Sequence, residues 1–180
     1  MIVVCPLSRL PETLVASGAR SVVTLLARDQ QAAVPPMPGI ARLVLDLSDI
    51  AEPRGGHTLA GEAHMADLLG FARAWDRRQP LLIHCYAGVS RSTAAAFAVA
   101  CALDSQAQAR DVAARLRTAS PSATPNPRLV ALADAALGRS GEMVEAIRAI
   151  GRGLDCFEGE VFRLEVPAGA SSDQTPAYQA

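Results

Sequence analysis

The 180-residue sequence predicts an α/β domain: a central, mostly parallel sheet of four to five strands with helices on both faces. Three observations lead there. The β-rich runs at residues 2–5, 21–26, 41–47 and 81–83 lack the polar alternation of a half-solvated strand, as expected of a sheet covered on both sides. Segments with helical periodicity separate them, which suits parallel crossover connections. Half of the residues are hydrophobic but only 4% are aromatic, so the core must be built mainly from Ala, Leu and Val.

The elements follow in order. Residues 2–5 form a short buried strand; Pro11 opens a short helix in its first turn and Gly18 closes it. Residues 21–26 are a second strand. The loop 34–39 carries Pro35, Pro36 and Pro38 and so cannot be regular structure before the third strand, 41–47. A flexible segment with Pro53, Gly55 and Gly56 leads to a helix over 61–78, whose Met65, Leu68, Leu69, Ala72 and Trp75 recur at spacings of three and four. After the strand 81–83 a helix runs from Ser92, and another spans 106–117 with Val112 and Leu116 inward. Asn126 and Pro127 supply the N-cap and first position of a further helix that Gly138 closes. One more helix covers 142–150. Residues 154–166 suggest a hairpin about Glu158-Gly159, and 168–180 a mobile tail. The division expected is a main domain over 1–138, an appended helix and hairpin over 139–167, and the tail.

Composition excludes several classes. A formal net charge of −1 argues against a nucleic-acid binder or a polybasic membrane anchor. No apolar stretch reaches the roughly 18 residues of a membrane span, and the N-terminus lacks the features of a signal peptide. Cys5, Cys85, Cys101 and Cys156 are scattered without metal-ligand or disulfide spacing, so a reducing, cytoplasmic setting is expected.

The chemistry concentrates in His84-Cys85-Tyr86-Ala87-Gly88-Val89-Ser90-Arg91-Ser92, read as strand, tight loop and helix start. Such a turn points unpaired backbone N–H groups inward, and the helix dipole adds partial positive charge at the same place. Cysteines at helix N-termini or beside cations titrate at roughly 3.5 to 7.5, so Cys85 is expected to be a nucleophilic thiolate. Arg91 can grip two oxygens of a tetrahedral anion while the loop amides of residues 86–91 hold the others. Gly88 lets backbone approach a ligand closely.

These residues resemble the signature of the cysteine-dependent protein tyrosine phosphatase superfamily, His-Cys-x-x-Gly-x-x-Arg followed by Ser or Thr. His84, Cys85, Gly88, Arg91 and Ser92 fill every fixed position. The resemblance, to the compact dual-specificity phosphatases in particular, covers residues 1–137. It implies their sheet, a phosphocysteine intermediate on Cys85, a Ser92 hydroxyl that stabilises the departing thiolate, and His84 orienting the loop and tuning the thiol. It also implies an aspartic acid, on the loop after the preceding strand, that protonates the leaving group. Asp46 and Asp49 both qualify, and Asp49 is favoured by its place at the strand end, 36 residues before Cys85. Asn126 resembles the element that braces the phosphate loop, a role a simple N-cap would explain nearly as well. His57 and His64 read as ordinary loop and helix-surface residues.

The expected substrate is a phosphorylated protein or other phosphomonoester, phosphotyrosine first and phosphoserine or phosphothreonine besides, with no cofactor and no metal. The loop positions Tyr86, Ala87, Val89 and Ser90 carry no Lys or His, which ranks highly phosphorylated inositides lower. Two other readings use the same loop: a phosphopeptide-binding pseudo-phosphatase, and a sulfurtransferase carrying a persulfide on Cys85.

Overall fold

The computed structural model describes residues 1–167; the tail expected at 168–180 lies outside them. Five strands form one sheet in the order β3-β2-β4-β1-β5, with β1 (Ile2–Pro6), β2 (Ser21–Leu26), β3 (Ala41–Asp46) and β4 (Leu81–Cys85) parallel and β5 (Phe162–Leu164) antiparallel at the edge of β1. The sheet is the predicted α/β one, and its strand alternation divides the core. Ile2, Val4, Val23, Leu25, Leu81 and Ile83 face the large cluster. Val3, Cys5, Val22 and Leu82 face a smaller one closed by Leu10, Ala19 and Met37.

Helix α1 (Leu10–Ser17) contributes Leu10 to the small face, while α2 (Glu62–Ala74), α3 (Arg91–Leu103), α4 (Ala109–Ala119), α5 (Pro127–Ala136) and α6 (Glu142–Ile150) cover the other. Helix α3 is buried at every residue from Arg91 to Cys101. Ala94, Ala95, Ala96, Ala98 and Ala100 let it lie close to β4 and β1, and Phe97 is fully buried in the large cluster; losing such a side chain costs about 3–5 kcal/mol.

Most predicted boundaries move by a residue or two, and three differences are larger, each with a local reason. Helix α2 ends at Ala74, before the expected Arg78, because Trp75 turns extended and its indole donates to the Gln79 carbonyl at 2.9 Å, with Arg77 left-handed at φ 60°. Helix α4 starts at Ala109 instead of 106, after a turn closed by the Asp104 carboxylate on the Ala107 amide. The hairpin expected over 154–166 does not form. Only Phe162–Leu164 is strand, and it pairs with β1 instead of with its own neighbours.

The C-terminal segment is tied to the rest of the core. Met143 and Ala146 of α6 are buried in it, as are Phe162 and Leu164. Asp134, itself buried in α5, accepts from the Gly141 and Met143 amides at 2.6 and 2.8 Å, neutralising donors that the first turn of α6 leaves open.

Candidate active site

Strand β4 delivers Cys85 to the C-terminal edge of the sheet, and α3 begins six residues later at Arg91. Between them the chain must reverse within five residues. Gly88 makes this possible with φ +71°, and a Cβ there would stand 2.7 Å from the Pro6 nitrogen, so the loop lies directly on the end of β1.

Four of the five loop carbonyls are taken up by donors outside the loop. Tyr86 O accepts from the Leu7 amide at 3.0 Å, Ala87 O from Gly159 at 2.9 Å, Val89 O from Thr124 at 3.0 Å, and Ser90 O from Ala94 at 3.0 Å and Asn126 at 3.3 Å. The Thr93 hydroxyl adds bonds to Val89 O and Ser90 O. In a trans peptide the N–H points opposite to the C=O, so the amides of Ala87, Gly88, Ser90 and Arg91 face the inside of the cup. The N-terminus of the 13-residue α3 adds its dipole there.

Cys85 lies at the floor, 1% exposed, and its Sγ shares a hydrogen bond of 3.1 Å with Ser92 Oγ. Arg91 is 4% exposed. Its Nη1 is anchored on the Leu47 carbonyl at 3.2 Å and Gln30 Oε1 at 3.3 Å, while its buried Nε has no hydrogen-bond partner among the described residues. The guanidinium is thus hydrogen-bonded through one nitrogen, and its Nε has an ion-pair partner, Asp49 Oδ2 at 3.8 Å, in place of a hydrogen bond.

His84 is fully buried, with Nε2 2.8 Å from Thr24 Oγ1 on β2. Burial first, then the charges of Arg42 and Arg91, pull its imidazole down to about 4, so it is neutral at physiological pH. It packs behind the cup, attached to the sheet.

The two competing aspartates separate clearly. Asp46 ends β3, level with Leu26, and its Oδ2 meets Arg28 Nε at 3.3 Å. Asp49 lies three residues on, at the rim. Its Oδ1 accepts from Ser90 Oγ at 2.7 Å and Asn126 Nδ2 at 2.9 Å, and its Oδ2 stands 3.8 Å from Arg91 Nε. Asn126 therefore does two things: its Oδ1 caps α5 through the Arg128 and Leu129 amides, both at 3.1 Å, and its Nδ2 holds Asp49.

Asp49 and Arg91 also line a cleft of about 600 Å3, together with Gln30, Ser48, Arg54 and His57. This cleft flanks the cup; Cys85 and residues 86–90 are not on its wall. His57, read as an ordinary loop residue, stands in it with Nδ1 3.4 Å from Ser48 Oγ, whereas His64 accepts from the Gly61 amide at the start of α2. Tyr86, half-exposed, faces a separate hollow beside Leu7, Pro35 and Glu158, and Val89 packs near Gly159. Sequence reasoning missed Gln30, Thr24 and Gly159. Gln30 and Thr24 carry no local signal, since their partners come from other strands and loops.

No family model matches the chain, and no curated protein matches it in sequence. Solved structures do resemble it. DUSP15 superposes with a TM-score of 0.58 at 18% identity, over 82% of this chain and 88% of that one. Human DUSP28 gives 0.59 at 18% identity, over 76% and 88%. The human tyrosine phosphatase-like serine/threonine/tyrosine-interacting protein gives 0.58 at 19% identity, over 76% and 87%. The chain has the fold of the compact dual-specificity phosphatases, as the signature loop led one to expect.

Proposed function

We propose that this protein hydrolyses phosphomonoesters through a phosphocysteine intermediate, with phosphotyrosine in proteins as the main substrate and phosphoserine and phosphothreonine within reach. The observation that carries the reading is that Cys85, hydrogen-bonded to Ser92 at 3.1 Å, opens a loop whose carbonyls are taken up by neighbouring elements and which ends on the buried Arg91, whose Nε has no hydrogen-bond partner among the described residues. The phosphoryl oxygens take the loop amides and the Arg91 fork, leaving phosphorus facing the sulfur.

Cys85 Sγ then forms the S–P bond as the ester O–P bond breaks. Asp49 gives the departing oxygen its proton from Oδ2, the oxygen not already engaged by Ser90 and Asn126. In the second half Asp49 takes a proton from water, whose oxygen attacks phosphorus. The S–P bond breaks, and Ser92 donates to the leaving sulfur across the 3.1 Å contact. The products are the alcohol and inorganic phosphate. The residues that would do this are Cys85, Arg91, Asp49 and Ser92, with His84 and Asn126 holding the loop and the acid. A cytoplasmic location fits the free thiols Cys5, Cys85, Cys101 and Cys156, and no described helix is long and apolar enough to cross a membrane.

A second reading, phosphopeptide capture without turnover, has one point in its favour: Asp49 is already bonded by Ser90 and Asn126, which suits a fixed carboxylate. Hydrolysis of para-nitrophenyl phosphate in EDTA decides. Turnover that survives chelation, vanishes in Cys85→Ser and falls in Asp49→Asn supports the phosphatase. Phosphopeptide binding without turnover selects the capture module, and transfer of sulfur from thiosulfate to cyanide selects a sulfurtransferase.

A further inference from the structure

The segment that follows α6 has no part in the mechanism above, yet it runs along the outside of the phosphate loop. The Leu154 amide donates to Pro121 O at 2.9 Å, and the Gly153 amide to Thr124 Oγ1 at 3.1 Å. Thr124 in turn holds Val89 O through its own amide. Further on, Glu158 accepts from Ser8 Oγ at 2.7 Å, and the Gly159 amide donates to Ala87 O at 2.9 Å. Phe162 then enters the sheet opposite Val4.

Two glycines mark how close this approach is. A Cβ on Gly153 would stand 2.4 Å from the Ser122 carbonyl carbon. A Cβ on Gly159 would stand 3.1 Å from Gly88 O and 3.3 Å from Val89 Cγ2. Neither has positive φ, so space and not backbone conformation calls for glycine at both.

We infer that Gly159 is a positioning residue for the anion site, acting through the Ala87–Gly88 peptide. Its amide holds the Ala87 carbonyl outward, and because that peptide is planar and trans, the Gly88 N–H is thereby aimed into the cup. Its missing side chain leaves Gly88 O and Val89 against the segment, so the same contact fixes the next peptide. Gly159 thus holds the loop from behind directly, and Gly153 does so through Thr124, which bonds Val89 O. This rests on the phosphate reading of the cup given above.

The test uses the full chain with Gly159→Pro, which removes the donor, and Gly159→Ala, which keeps it but presses on Gly88. Inorganic phosphate binding is followed by calorimetry and para-nitrophenyl phosphate turnover by kcat and KM; Phe157→Ala, 88% exposed on the same segment, is the control. Removing an oxyanion donor outright costs about 10²–10³-fold, and misaiming one of several costs less. Phosphate affinity and kcat/KM should each fall about tenfold in Gly159→Pro and about threefold in Gly159→Ala, with Phe157→Ala unchanged. If Gly159→Pro fails to fold, Gly159→Ala alone decides, because its two contacts need give only a few tenths of an ångström. A lower melting temperature with wild-type phosphate affinity overturns the inference, as does wild-type behaviour in both. Phosphate binding by a wild type that does not turn over would defeat the catalytic reading alone, and the binding arm would still judge Gly159. A wild type that binds no phosphate overturns both.

Discussion

Asn126 Nδ2 donates to Asp49 Oδ1 at 2.9 Å across a sequence separation of 77 residues, so the start of α5 sets the position of the carboxyl group at the rim of the cup. One side chain links a helix cap to the proposed acid. Asn126→Ala should lower stability by about 1 kcal/mol for the lost cap and reduce kcat as well. Asn126→Asp keeps an acceptor for the Arg128 and Leu129 amides but places a like charge on Asp49. Stability should then recover while kcat stays low, as urea denaturation and steady-state kinetics on the same samples will read.

Ser92→Ala removes the hydroxyl 3.1 Å from Cys85 Sγ and leaves the cup unchanged. Formation of the S–P bond should proceed, but its hydrolysis should slow by roughly 10²-fold, within the range of proton donors acting on a leaving group. Stopped-flow measurement should therefore record a burst of nitrophenolate near one equivalent, followed by slow release. A simple uniform decrease without a burst would contradict this role.

Arg91→Lys is a severe change despite keeping the charge. The guanidinium spends Nη1 on Leu47 O and Gln30 and still offers Nε to a ligand, and one ammonium cannot do both. Phosphate affinity and kcat/KM should both drop by about 10²-fold or more, with the Phe97-centred core and the melting temperature little altered.

His84 makes stability depend on pH in a defined window. Its native imidazole stays neutral until about 4, while in the unfolded chain it takes a proton near the ordinary 6.5. Between those values the unfolded state binds more protons, so stability falls as pH drops from about 6.5 to about 4, by up to roughly 3 kcal/mol, and this contribution is complete below that. Denaturation midpoints across that range check the slope, which His84→Gln should remove while lowering stability at pH 7 through the lost fit beside Thr24.

What could be read from the sequence was what is encoded locally. His84, Cys85, Gly88, Arg91 and Ser92 fall within nine consecutive residues, so the strand, loop and helix were legible together, although Pro6, Gln30 and Leu47, which hold Gly88 and Arg91 from a distance, were not. Helix α5 was as well, since Asn126 and Pro127 carry their own cap. Between Asp46 and Asp49 the sequence favoured Asp49 by strand position and spacing, and the pairing of Asp46 with Leu26 and Arg28 keeps Asp46 in the ladder and leaves Asp49 beyond it. Glu158-Gly159 was misread for a physical reason. Glycine is equally at home in a turn and beneath another backbone, and only the fold places Gly88 O against it.

The cup is assembled from distant parts of the chain: Pro6 beneath Gly88, Leu7 on Tyr86, and Gly159 on Ala87. During synthesis, residues 84–92 leave the ribosome long before their last support does. A nascent chain therefore stays an incomplete anion receptor until almost all of the described residues have emerged, and the hydrolase proposed here would reach its full activity only after translation has passed Gly159.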